Sequence, residues 1–123
     1  MRGLRTGLAV LAVLTLVAQL ASCNQLALTG PQKYKTDLSA TCSRIVLDLD
    51  QNGEVSAYAF GKLEKVLKNW EEDFSGKGSF MKAIEIRDLI NEAREDPNGA
   101  FQKYQAVRMK ITEIQSVLQT EVK

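Results

Sequence analysis

Apolar residues recur at steps of three and four along most of this chain, which is the period of an amphipathic helix. The clearest run is Phe60, Leu63, Leu67, Trp70 and Phe74, a narrow stripe on one helical face. Ser56 stands before it as an N-cap, and Gly76 and Gly78 stop it. Upstream, Leu38, Cys42, Ile45 and Leu49 repeat the spacing and predict a short first helix, opened by Thr36 or Asp37 and ending near Asp50. The turn "DLDQNGEVS" follows, where Asn52-Gly53 supplies the positive φ that reverses a chain. Downstream, Ser79 is placed to cap a third helix whose inner face holds Ala83, Ile86, Leu89, Ile90 and Ala93. Pro97 ends that helix, because the residue before a proline is pushed out of the α region. A fourth helix, from about Ala100 to Glu121, carries Tyr104, Val107, Ile111, Ile114 and Leu118. Short connections force successive helices antiparallel, so the fold class is all-α, an up-down-up-down four-helix bundle. The one strand-like stretch, "RIVLDLD", has helical flanks.

The beginning of the chain departs from this pattern. Leu8 to Val17 is a clean apolar run, preceded by Arg2 and Arg5 and followed by the small residues Ala21 and Ser22. A spanning helix needs roughly 20 apolar residues, and this run is half that. The order basic, apolar, small is that of a secretory signal peptide. Leu20-Ala21-Ser22-Cys23 resembles the lipobox of bacterial lipoproteins, in which the cysteine thiol is acylated and the preceding peptide is removed. The resemblance implies a cleaved signal peptide over 1–22, a lipidated tether over 23–33 with Gly30-Pro31 as a chain breaker, and the bundle over 34–123. Cys23 would then begin the mature protein and hold it to the membrane, since two or more acyl chains anchor stably where one binds marginally.

Removing residues 1–22 from the 123 leaves 101, enough for one domain with a modest core. Both charges lost are arginines, so 16 basic residues become 14 against 15 acidic ones, a net charge of −1. A near-neutral protein has no electrostatic reason to seek nucleic acid, and it lacks a polybasic patch for anionic lipid. Cys42 has no intramolecular partner once Cys23 carries lipid. Its place on an apolar helical face favours a buried, inert thiol over an intermolecular bond.

The chain has no histidine. That removes the usual general base at neutral pH and the commonest transition-metal ligand. Triads built on histidine and ordinary zinc sites go with it. No cofactor or catalytic constellation is expected, and the chain reads as a non-enzyme.

Two polar features remain. From Asp48 the turn matches an EF-hand loop at Asp48, Asp50, Asn52, Gly53 and Val55, but Ala59 stands where the bidentate acid belongs. A solvated turn is the better reading, and a calcium module is disfavoured. On the third helix, Glu85, Asp88, Glu92 and Glu95 form an acidic outer stripe, with Lys82, Arg87 and Arg94 beside it for local pairing. It is either a solvated face or a docking surface for a basic partner, and it is the best candidate for the latter. Tyr34 and Tyr58 are expected to be exposed and available to a partner.

"CNQLALTGPQKYKTDLSAT" resembles the start of the lumenal photosystem II assembly and repair lipoprotein of cyanobacteria, the Psb-twenty-seven family. The matching residues are Cys23, Leu28-Thr29-Gly30, Tyr34 and Asp37, followed by Ser79-Phe80 and the Pro97-Asn98 turn. The chain departs from the family in two extra residues between Gly30 and Tyr34, a short first connection, and the lack of the family's Arg-Pro-rich approach to the last helix and of its histidine-tyrosine segment. The resemblance implies a non-enzymatic, lipid-anchored bundle that binds photosystem II subunits of immature complexes in the thylakoid lumen. The alternative is a generic envelope lipoprotein with a periplasmic or cell-wall partner.

Overall fold

A computed structural model describes residues 30–122. The expected signal peptide, the candidate lipidation residue Cys23, the expected tether up to Thr29 and Lys123 lie outside the described residues. Four helices account for nearly all of the rest: α1 (Gly30–Asn52), α2 (Ala57–Phe74), α3 (Gly78–Glu95) and α4 (Ala100–Glu121), with a 3₁₀ turn at Pro97–Gly99 before α4. The described residues hold no strand, and the class is an all-α four-helix bundle.

The first helix differs most from expectation. It is the longest of the four at 23 residues, and it begins at Gly30 rather than near Thr36. Pro31 is compatible with this because the first helical turn has no intrahelical partner for its N–H, so a proline there removes nothing. Thr36 and Asp37 are therefore interior residues. The Thr36 hydroxyl donates to the Gln32 carbonyl, and the Asp37 carboxylate accepts from the Trp70 indole N–H at 3.1 Å. The extra turn and a half carries Tyr34 into the core, where it is fully buried. Its ring stacks on Phe74 at 4.1 Å, and Trp70 meets both rings edge-on at 6.0 and 5.6 Å. The expectation of an exposed Tyr34 is corrected: its ring is a core residue tying α1 to the end of α2.

The chain reverses at Gly53, whose φ of 74° suits glycine, and Val55 is buried behind the turn. Ser56 caps α2 as predicted, accepting from the Ala59 N–H at 3.1 Å. Helix α3 is opened differently from the prediction. Its N-cap is Lys77, which makes no side-chain capping bond, and Ser79 sits inside the first turn. The carboxylate of Glu121, from the far end of α4, takes over the capping. It accepts from the Ser79 N–H at 3.1 Å and from the Ser79 hydroxyl at 2.6 Å. Gly78 allows that approach, since a Cβ there would lie 3.1 Å from a Glu121 carboxylate oxygen.

Contacts between helices fix their directions. Tyr34 and Asp37 near the start of α1 meet Phe74 and Trp70 near the end of α2, while Asp48 near the end of α1 meets Ser56 before α2. Helix α4 runs antiparallel to α3 in constant register. Steps of three and then seven residues along α3 (Lys82, Glu85, Glu92) are matched by equal steps back along α4 (Glu113, Lys110, Lys103). Arg108 joins α4 to Asp50 on α1 at 2.7 Å. The core between the helices is aliphatic, built around Leu38, Ile45, Leu63, Ile86, Ile111 and Ile114, all essentially inaccessible to water. Each such side chain contributes roughly 1.5–3 kcal/mol of apolar burial.

Candidate functional site

The acidic residues of α3 all lie on its exposed side, as their spacing requires. Two of them are committed across the helix boundary. Glu85 pairs with Lys110 at 2.5 Å and Glu92 with Lys103 at 2.9 Å, both lysines coming from α4. Asp88 pairs with its neighbour Arg87 at 3.1 Å, and Glu95 is exposed at the end of the helix. The basic residues expected to pair locally divide three ways. Lys82 reaches Glu113 of α4 at 2.8 Å, Arg87 holds Asp88, and the Arg94 guanidinium lies 5.1 Å from the centre of the Phe60 ring. The ion pair raises the Lys82 pKa and lowers that of Glu113, chiefly through the hydrogen bond between them. The stripe is thus one half of an interhelical ladder, and most of its charge is locally compensated.

The acidic turn after α1 is built as a clasp between helices. Asp48 and Asp50 are still helical, so the side chains read as loop positions one and three project from α1. Asp48 is buried at 1% exposure. One of its oxygens accepts from the Ser56 N–H at 3.0 Å and from the Ser56 hydroxyl at 2.5 Å, and the other lies 3.4 Å from Arg44. The Ser56 hydroxyl holds the Asp48 carboxyl below its ordinary pKa against the opposing effect of burial, with help from the Ser56 N–H and Arg44. Asp50 faces α4 and pairs with Arg108. Among the described residues no group of three or more Cys, Asp or Glu is placed to hold a metal ion.

Cys42 is buried in the core, and burial pushes its thiol up to about 12. The reactive thiolate is scarce at neutral pH for that reason. Tyr34, by contrast, anchors a buried polar chain. Its hydroxyl lies 2.5 Å from Ser79 Oγ, and because that oxygen donates to Glu121, the tyrosine is the donor. Burial is the largest cause raising the Tyr34 pKa, with the nearby Glu121 charge adding to it against the Ser79 hydrogen bond. Nothing in the local pattern signals this cluster, because Ser79 and Glu121 stand 42 residues apart.

A second surface lies between α1 and α2. Asp37, Ala40 and Thr41 on α1 and Lys62, Lys65, Val66 and Asn69 on α2 line an open groove of about 340 Å³. Tyr58 is 60% exposed and has two cations over its ring, Lys62 at 5.1 Å and Arg44 at 5.5 Å from the ring centre. Tyr58 is therefore exposed as expected, while the basic neighbours that it gathers escaped the sequence reading. Lys62 and Lys65 are one helical turn apart, a spacing that signals a shared face without indicating which helix borders it.

No helix of the described residues is long and apolar enough to cross a membrane. No family model, curated protein or solved structure matches the chain.

Proposed function

We propose that this chain is a non-enzymatic, lipid-anchored helical-bundle protein that binds a membrane-protein complex on the extracytoplasmic side of a bacterial membrane. The observation that supports this most is the internal saturation of the bundle. Every buried side-chain nitrogen and oxygen among the described residues has a partner, and the carboxylates of Asp48 and Glu121 are spent on holding helix starts together. What such a body offers is a rigid surface, and an anchor concentrates that surface at the membrane. Six residues, Asn24 to Thr29, separate the candidate lipidation site from α1. The seven residue steps from Cys23 to Gly30 reach at most about 25 Å, so a lipid on Cys23 would keep the start of α1 within that distance of its attachment.

The finer form of the proposal follows the family resemblance: an assembly or repair factor occupying the lumenal side of immature photosystem II. Two measurements test the proposal. Fatty-acid labelling should mark the full-length chain and vanish in Cys23→Ser, with the precursor left uncleaved or the product soluble. Label retained in that variant refutes the anchor. Capture from thylakoids should recover antenna and reaction-centre subunits of immature complexes, and capture that recovers none of them refutes the photosystem form.

A further inference from the structure

We infer that the outward face of α4 pairs with the same face of a second copy of this chain, in a parallel two-fold dimer. The inference goes beyond the binding role proposed above and stands on the residue pattern of α4. The exposed sides of α2 and α3 are crowded with charges, Lys65, Glu71, Glu85 and Glu92 among them. On α4 the charges lie along the two edges instead. Lys103, Lys110 and Glu113 pair with α3, and Arg108 pairs with α1. The outward strip between those edges is uncharged. It holds Phe101 and Met109, the two most exposed large apolar side chains among the described residues, at 74% and 68%. Gln102, Met109 and Ser116 recur at steps of seven, as do Gln105, Thr112 and Gln119, and all six are exposed. The second series follows the first by three residues, so the two occupy the a and d positions of a heptad seam.

The edges select the occupant. In a parallel helix pair, the residue at each g position lies beside the next e position of the partner helix, about five residues further along. By that spacing Arg108 meets Glu113 of the second copy, and two-fold symmetry makes the pair twice. Phe101 meets Ala106 by the same rule, so opposite charges face each other and apolar faces apolar. Arg108 and Glu113 are 35% and 48% exposed beside their own partners, which leaves room for a second contact. Along the seam each residue lies against its own copy, where charged residues would repel. Gln, Ser and Thr both donate and accept, so identical residues can bond to one another.

The anchor geometry agrees with the parallel orientation. Tyr34 of α1 reaches Glu121 of α4 through Ser79, so α1 begins where α4 ends. A parallel pair puts both starts at one end, within reach of one bilayer. An antiparallel pair would part them by about 33 Å, the length of α4, beyond the roughly 25 Å reach of the tether. The seam is at the small end of specific interfaces, and polar a and d residues fix register at a cost in stability. Two copies held in one membrane offset that weakness through effective concentration.

The test is disulfide trapping of the full-length chain expressed in bacteria. Whichever cell fraction carries the chain is oxidised with copper–phenanthroline and run on a non-reducing gel. Ser116→Cys sits at an a position away from the middle of the seam, so it meets its own copy only in a parallel pair and should give a dimer band. The unaltered chain and Lys65→Cys, on the exposed side of α2, should not. In the Ser116→Cys background, Arg108→Glu and Glu113→Arg should each weaken the band roughly fivefold or more. Co-expressing those two variants should restore it, because each then faces an opposite charge, whereas an effect confined to one chain would persist. Gln105→Glu sets like charges across the seam without touching an ion pair of the bundle, and it replaces the edge variants if circular dichroism shows them unfolded. Absence of a dimer with Ser116→Cys overturns the inference. So do an equal band from Lys65→Cys, linkage of Ser116→Cys to a different protein in place of its copy, and failure of the co-expressed pair, or of Gln105→Glu where it stands in, to behave as stated. Fatty-acid labelling is scored separately, so a failed anchor and a failed dimer give different results.

Discussion

Asp48→Ala should be among the most destabilising single changes at a polar residue of this protein. The carboxylate is almost completely buried and receives two hydrogen bonds from Ser56, at 3.0 and 2.5 Å. Hydrogen bonds to a charged group are worth about 1.5–3 kcal/mol each. The Arg44 contact at 3.4 Å adds little, because that arginine is 45% exposed. Losing the carboxylate should therefore cost about 3–6 kcal/mol at neutral pH, with each kcal/mol lowering Tm by roughly 4–8 °C. Asp48→Asn keeps an acceptor without the charge and should cost about half as much. Ser56→Ala removes one of the same bonds together with the cap of α2, so the two sites should show a coupling of about 1–2 kcal/mol in a double-mutant cycle. The sign of the pH dependence follows from the depressed pKa of Asp48. A carboxyl depressed in the folded state stabilises above its unfolded pKa of about 3.9 and loses that contribution as pH falls through the folded value. Urea unfolding at pH 7 and pH 3 should show the gap between the unaltered chain and Asp48→Asn closing at the lower pH. A gap of the same size at both, or a cost for Asp48→Ala below about 0.5 kcal/mol, would refute the clasp.

Two further outcomes are expected. Reversing Glu85 and Glu92 to lysine sets like charges against Lys110 and Lys103 and should cost about 1–2 kcal/mol in all, recovered in part by Lys103→Glu with Lys110→Glu, whereas reversing Asp88 and Glu95 should leave chemical unfolding nearly unchanged. Cys42 in the folded chain should react with a disulfide reagent on the order of 10³-fold more slowly than a free thiol and at the ordinary rate in denaturant, so rapid modification of the native protein would contradict its burial.

Helix number, the apolar faces and the span of α4 were legible because they rest on periodicity, a property of neighbouring residues. The errors came where a local signal has two meanings. Gly30-Pro31 breaks a helix that approaches it from upstream, but the same proline is tolerated in the first turn of a helix that starts there. Taking the first meaning removed Tyr34 from the apolar stripe, although it stands one turn before Leu38 at the same spacing. Ser79 before an amphipathic run likewise suggests a cap, and Asp48 with Asn52-Gly53 suggests a loop that offers oxygens. Each of these groups is satisfied by a residue from another helix or from beyond the turn. The partners of the acidic stripe were hidden for the same reason, since pairing Glu85 with Lys110 requires the register between α3 and α4.

The two clasps are the same device used at opposite ends of the bundle. At one end Asp48 of α1 takes the N–H and hydroxyl of Ser56 at the start of α2. At the other, Glu121 of α4 takes the N–H and hydroxyl of Ser79 at the start of α3, and the hydroxyl of Tyr34 on α1 joins the chain. A carboxylate at a helix start is favoured by the unpaired N–H groups and the positive end of the helix dipole, so each clasp caps one helix while pinning it to another. Apolar burial alone does not set how far one helix slides along its neighbour, because dispersion contacts are non-directional and a shifted stripe still buries area. Directional bonds at both ends, with the ionic ladder between α3 and α4, fix that register. Surface residues brought together from different helices, Arg44 of α1 with Tyr58 and Lys62 of α2 among them, then hold a constant spacing. A constant spacing is what a docking surface needs, because side chains already in place lose less freedom when a partner binds.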